Sequence, residues 1–252
     1  MKLPAFESLS RRAALGALAT LAAVSPTAPA HAISATTMSG KTKADLGIIL
    51  ASETTTVGKQ LLADLVLDGG VVATTTFDSK WPLAEGNYYD FEAATRDGDT
   101  AFCQVMPLAK GESLASLPKT WFVNSIFGVD GRYGAYGAPT DVKLKEMDKE
   151  EGKARSFDVS FTVLSPSMAE LQRKGVIRAL QPPGSNDVLL LTASSSATRW
   201  AKTNAESEAR AIQASFRVTA TKPTDLKREA AADYRFGKTT GPSSMKSRND
   251  GF

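Results

Sequence analysis

The sequence predicts an α+β fold in which helices cover a mainly antiparallel β-sheet. Three observations carry that expectation. SFDVSFTVL, residues 156–164, places Phe157, Val159, Phe161 and Val163 on one face at the period of a strand. Short turn signals, Asp97-Gly98-Asp99 and the PPGSN stretch at 182–186, join strand-like segments into hairpins. Helical spacing is clear in two places, around Trp121 and around Ile212.

The chain opens on a segment that is not part of this fold. SRRAALGALATLAAV sets Arg11 and Arg12 against an apolar run that stops at Val24, too short for the roughly 20 residues of a membrane span. Pro26 and Pro29 end it, and Ala30-His31-Ala32 supplies an A-x-A cleavage site at Ala30 and Ala32. Residues 1–32 read as a cleaved export signal of twin-arginine type, with Ile33 as the first mature residue.

Residues 33–69 are expected to form a flexible leader, partly helical from Lys59 at KQLLADLVL. VVATTTF, 71–77, reads as a strand between glycine and Asp-Ser turns. NYYDFEAATR and TAFCQVMP read as a hairpin about the DGD turn. SLPKTWFVNSIFG reads as a short helix, with Pro118 in its first turn and Gly128 as its stop. A glycine-rich loop follows that carries no phosphate-binding pattern. TDVKLKEMD and SFDVSFTVL read as strands about the charged turn KEEGKAR. GVIRALQ and DVLLLTASS form a second hairpin. The last helix has capping-box spacing at Thr203 and Glu206, and Ala205, Ala209, Ile212 and Phe216 lie on one face. SFRVTA closes it or begins a strand, and residues 222–252 read as a polar, disordered, locally basic tail.

Composition excludes several function classes. Removing the signal takes away Lys2, Arg11, Arg12 and Glu7, which leaves basic and acidic side chains balanced to within one charge. That is not the footprint of a nucleic-acid binder. Cys103 is the single cysteine, so no intrachain disulfide forms, and its alternating context reads as a buried small hydrophobe. His31 is the single histidine and lies in the signal. A mature chain without histidine has no Ser-His-Asp or Cys-His machinery and no histidine-ligated zinc. Oxygen-ligated calcium, magnesium or manganese remain open.

The order of segments from Arg155 onward is distinctive. RSFDVSFTVLSP is followed by RKGVIRAL, then DVLLLTASSSATRWAK, then ESEARAIQASFRV, with FDSKWPL upstream at 77–83. This ordered set resembles the PsbP family, the extrinsic lumenal proteins of photosystem II and their PsbP-like relatives. In that family the second hairpin strand ends in an Arg-Trp-x-Lys-like stretch and a helix closes on a Ser-Phe-x-Val motif; Arg199-Trp200-Ala201-Lys202 and Ser215-Phe216-Arg217-Val218 stand at these places. The resemblance runs over Gly70 to Thr219, strongest from Ser156, and marks residues 70–221 as the folded domain. It implies an α-β-α sandwich around the antiparallel sheet, a non-enzymatic role as extrinsic subunit or assembly factor of photosystem II, and a link to calcium retention. It also implies a thylakoid-lumen location reached through the twin-arginine signal; no covalently bound cofactor is expected, calcium is the candidate ion, and no stretch of the mature chain approaches membrane-spanning length. Ten residues ahead of Arg11 are too few for an ordinary chloroplast transit peptide, which leaves a truncated start or another presequence, with a bacterial periplasm as the rival location.

Trp200 reads first as packing the base of the last helix against the sheet; in a functional reading Arg199, Trp200 and Lys202 are candidate partner contacts, a planar aromatic beside two cations. Arg132 and Tyr133, with Tyr136, read equally as a contact surface in the glycine-rich loop and as a cover for the core. Asp97 and Asp99 read as a turn before they read as a weak cation site, and Glu146, Asp148, Glu150 and Glu151 as a solvated charged turn. Three classes stay open: a photosystem subunit or assembly factor, for photosystem II or photosystem I; a free lumenal ion- or small-molecule-binding protein; and a hydrolase acting through carboxylates alone.

Overall fold

The computed structural model describes residues 46–84, 91–129, 131–150, 154–226, 230–233 and 238–242. The export signal with Ala30 and Ala32, and the first part of the expected leader, lie outside the described residues.

Two antiparallel sheets organise the domain. The larger has six strands, β4 (Glu92–Ala94), β5 (Thr100–Pro107), β9 (Asp187–Ser196), β8 (Glu170–Leu180), β7 (Ala154–Leu164) and β6 (Thr140–Glu150), in that spatial order. The smaller has four, β1 (Thr55–Val57), β2 (Gln60–Leu67), β3 (Val71–Asp78) and β10 (Arg217–Pro223). Three helices accompany them: α1 (Lys119–Phe127), α2 (Ala197–Lys202) and α3 (Ala205–Ser215). Two further strands, β11 (Ala230–Asp233) and β12 (Lys238–Pro242), pair with each other. The α+β class and the antiparallel pairing are as the sequence predicts.

Strand alternation gives the six-stranded sheet two buried faces. Phe157, Val159, Phe161, Ile177, Ala179, Val188 and Leu190 pack with Phe122, Ile126 and Phe127 of α1 and with Leu114 and Leu117. The intervening residues Val176, Leu189, Leu191 and Ala193 point the other way, with Ala101, Cys103 and Val105. They pack with Ala209, Ile212 and Phe216 and with Leu61, Leu65, Ala73 and Phe77 of the smaller sheet. One face therefore carries a helix and the other carries helices together with a second sheet, which differs from the plain α-β-α sandwich that the resemblance implies. Each large side chain buried here contributes about 1.5–3 kcal/mol. Strand β9 is buried along nearly its whole length because both faces of it are covered.

Several local expectations change. KQLLADLVL is not helical: it is strand β2, paired antiparallel with β3 from Gln60↔Asp78 to Leu67↔Val71. Leu61, Ala63, Leu65 and Leu67 alternate into the core, and that period of 2 outweighs helix propensity once β3 lies alongside. The leader is structured from Leu46 onward, since Leu46, Ile48 and Ile49 are buried and Leu50 bridges Leu65. ATRWAK is not the end of a strand. It is helix α2, started by Ser196, whose hydroxyl accepts the backbone N–H of Arg199. The capping box at Thr203 and Glu206 is not formed: Asn204 is the N-cap, and the Thr203 hydroxyl binds the α2 carbonyl of Arg199. SFRVTA becomes strand β10 and closes the smaller sheet against β3, with a bulge between Val218 and Ala220. The tail contains the β11–β12 hairpin, so it is not without structure throughout. Among the described residues no helix is long and apolar enough to cross a membrane.

Candidate functional site

The residues that the sequence marks as partner contacts are tied into the molecule. Arg199 sits at the start of α2 and reaches back about a hundred residues to the turn before β5. Its Nε and Nη2 donate to Asp99 Oδ1 and Oδ2 at 3.0 and 2.7 Å, and its Nη1 lies 3.0 Å from Asp97 Oδ2. Asp99 is 1% exposed. It also accepts the Ser195 hydroxyl at 2.5 Å and the Thr95 hydroxyl at 3.1 Å. Burial pushes the Asp99 carboxyl up, but the bonds from Arg199, Ser195 and Thr95 outweigh it and hold the pKa below the usual carboxylate range. The Asp99 hydrogen bond in turn raises the Arg199 guanidinium above its ordinary value. The aspartates of the DGD turn are thus spoken for by a cation of the protein itself.

Arg132 is tied in the same way. Its Nη2 meets both oxygens of Glu92, which is buried, at 2.9 and 3.2 Å. Tyr133 is half-buried: its ring lies 4.7 Å from that of Phe161 and 5.7 Å from that of Phe102, and its hydroxyl bonds Ser194 Oγ at 2.8 Å. Arg173 locks the same corner, donating to Ser194 and to the Gly98 carbonyl. The glycine-rich loop is shaped for this, because a Cβ on Gly134 would collide with the Val129 carbonyl. Trp200 is 7% exposed and belongs to the core around α3. Of the five candidates only Lys202 is fully at the surface. Cys103 is buried, and burial pushes its thiol up, away from reactivity.

Arg155, which the sequence reading passed over, holds the opposite face. It is 5% exposed, lies over the rings of Phe122 and Phe157, and bonds Glu146 Oε1 at 2.7 Å and the Leu117 carbonyl at 2.5 Å.

A cationic groove opens between the free end of the large sheet and the α2–α3 edge. It has a volume of about 470 Å³, and Lys143, Lys145, Asp158, Ser160, Lys174, Trp200, Glu206 and Arg210 are among its lining residues. Register builds its floor: Lys143 opposes Ser160, Ser160 opposes Lys174, and Lys145 opposes Asp158, so these side chains share one face. Arg210 of α3 bonds Asp158 at 2.9 and 3.3 Å and Glu206 at 2.9 Å. The Asp158 bonds, with those of Glu206, raise the Arg210 guanidinium above its ordinary value. Both carboxylates of the groove are therefore engaged from within by one guanidinium, which offsets one of their two charges. Lys143, Lys145 and Lys174 are exposed and form no ion pair with a described residue. The period-2 pattern of VKLKE and FDVSF sets Lys143, Lys145, Asp158 and Ser160 against apolar neighbours, but nothing in it joins them to Lys174.

Among the described residues no three His, Cys, Asp or Glu side chains converge.

Comparison with protein-family models and with curated proteins returns no match. Among solved structures the chain is similar to the solution structure of cyanobacterial PsbP (CyanoP) from Synechocystis sp. PCC 6803, at 11% sequence identity and a TM-score of 0.34. That likeness covers 66% of this chain and 91% of the other, and it is too slight to carry the other protein's role across.

Proposed function

We propose that the chain is an exported, non-enzymatic protein of the thylakoid lumen that serves as an extrinsic subunit or assembly factor of photosystem II. The observation that carries this reading is the contiguity of the motif set in the fold. The segments that resemble the PsbP family are β7, β8, β9, α2, α3 and β10 in unbroken order, and Trp200 and Phe216 of its two short motifs enter one core. The upstream FDSKWPL segment joins them, since Trp81 Nε1 donates to Glu208 of α3 at 2.8 Å. The twin-arginine signal supports the location. The internal pairing of Asp97, Asp99, Glu92, Asp158 and Glu206 with arginines supports a structural rather than a catalytic use of these acids. Calcium enters this reading as an ion retained by the partner complex.

Thylakoid fractionation with a salt wash, followed by native separation, tests the proposal. Co-migration with photosystem II that is lost on salt treatment is the expected result, because exposed charge contacts are screened within about 10 Å at 0.1 M salt. Co-migration with photosystem I keeps the resemblance and moves the role to its assembly. A protein free in the lumen replaces the subunit role with that of a binding protein.

A further inference from the structure

We infer that the groove between the β6–β8 face and the α2–α3 edge is a binding site for a small ligand bearing a phosphoryl-type oxyanion. The floor has the arrangement such a group needs. Lys143, Ser160 and Lys174 stand in register on three neighbouring strands. Strands lie about 4.8 Å apart, so the two lysine stems rise roughly 10 Å apart on either side of the hydroxyl. Both ammonium groups can close on one anion seated over Ser160, which donates from below. Lys145 lies two residues along β6 on the same face and adds a third cation.

The charge is uncompensated by design of the strand. Alternation sends Glu146 to the opposite face, where it pairs with Arg155. Asp158 and Glu206 are both bound by Arg210. With Lys143, Lys145, Lys174 and Arg210 against Asp158 and Glu206, the lining carries two net positive charges, matched by a dianion. Trp200, though 7% exposed, contributes an apolar part of the wall beside Arg210 for the organic part of a phosphate ester. A concavity of about 470 Å³ is of small-ligand size. Asp141, with φ of 52°, and the register shift between Thr140 and Lys143 bend β6 at this end of the groove. The inference does not depend on the photosystem reading.

The test is a titration of the mature chain, 33–252, with inorganic pyrophosphate at constant ionic strength, followed by backbone and indole NMR shifts. Saturable shifts at Lys143, Ser160, Lys174 and the Trp200 indole are expected. The K143Q/K174Q variant, altered at two exposed positions, should bind at least about tenfold more weakly. K110Q/K119Q, equally exposed and outside the groove, should bind as the parent does. Linear, non-saturating shifts, or equal binding by K143Q/K174Q, overturn the inference. So does tighter saturation by a glutamate oligopeptide than by pyrophosphate, which makes the groove a docking surface for an acidic segment.

Discussion

Asp99 and Arg199 form a two-pronged pair, Nε to Oδ1 at 3.0 Å and Nη2 to Oδ2 at 2.7 Å, that fastens the β4–β5 turn to the first turn of α2. Asp99 also holds Ser195 of β9 and Thr95 of its own turn, so one carboxylate ties the β4–β5 turn to both β9 and α2. The pair makes the first turn of α2 a clasp within the fold, with Trp200 packed in the core beside it.

Asp99→Asn is expected to destabilise the fold. The buried Ser195 hydroxyl loses a charged acceptor, a change worth about 1–3 kcal/mol. Urea unfolding with an unchanged slope and a lower midpoint is the expected result. A midpoint equal to the parent's contradicts it.

The same residue sets an acid dependence. The pKa of Asp99 is lowered in the folded state, so its contribution is full above the unfolded value of about 3.9 and is lost as pH falls through the lower folded value. The parent should therefore lose stability below about pH 4 more steeply than Asp99→Asn does. Parallel stability curves for the two proteins below pH 4 contradict this.

Arg155→Met should cost about 3 kcal/mol. It leaves the Leu114 and Leu117 carbonyls without their buried donor and Glu146 without its guanidinium. Arg155→Lys should recover only part of the loss, since an ammonium does not reproduce the planar fork between the Phe122 and Phe157 rings. Full recovery by lysine in thermal melts contradicts the geometry.

Gly175→Ala should cost about 1–3 kcal/mol. An added Cβ would lie 2.5 Å from the Ala193 carbonyl oxygen and 2.9 Å from Ser194 Cβ, and the central β8–β9 pairing cannot yield to it. Faster amide exchange along β9, from 187 to 196, is the accompanying signature. Unchanged exchange there contradicts the account.

Phe216→Ala should cost about 3–5 kcal/mol. The ring is fully buried where α3 hands over to β10, in the core that joins both sheets to the helices. A melt within a degree of the parent contradicts this placement.

Much of the large sheet was legible because its strands are patterned. Phe157, Val159 and Phe161 alternate cleanly against polar residues, and Trp121 to Phe127 repeats at helical spacing. The smaller sheet was less legible. QLLADLVL reads nearly as well at a helical period, and only pairing with β3 decides between them. TRWAK directly follows the apolar run of β9 and reads as its continuation, although Ser196 carries a capping signal. For the site, Arg199 and Arg132 were visible as cations. Their partners Asp99 and Glu92 were not, since no local pattern links residues 40 to 100 positions apart. The lysine row was hidden for a different reason. Lys143 and Lys174 become neighbours of Ser160 only through strand register, which the sequence leaves open.

The central claim, an exported lumenal protein of the photosystem, is tested most directly by protease protection of isolated thylakoids combined with mass measurement of the protected chain. The account predicts a chain that begins at Ile33, survives protease in sealed membranes and is digested once they are opened. A chain that retains residues 1–32, or one digested in sealed membranes, contradicts it.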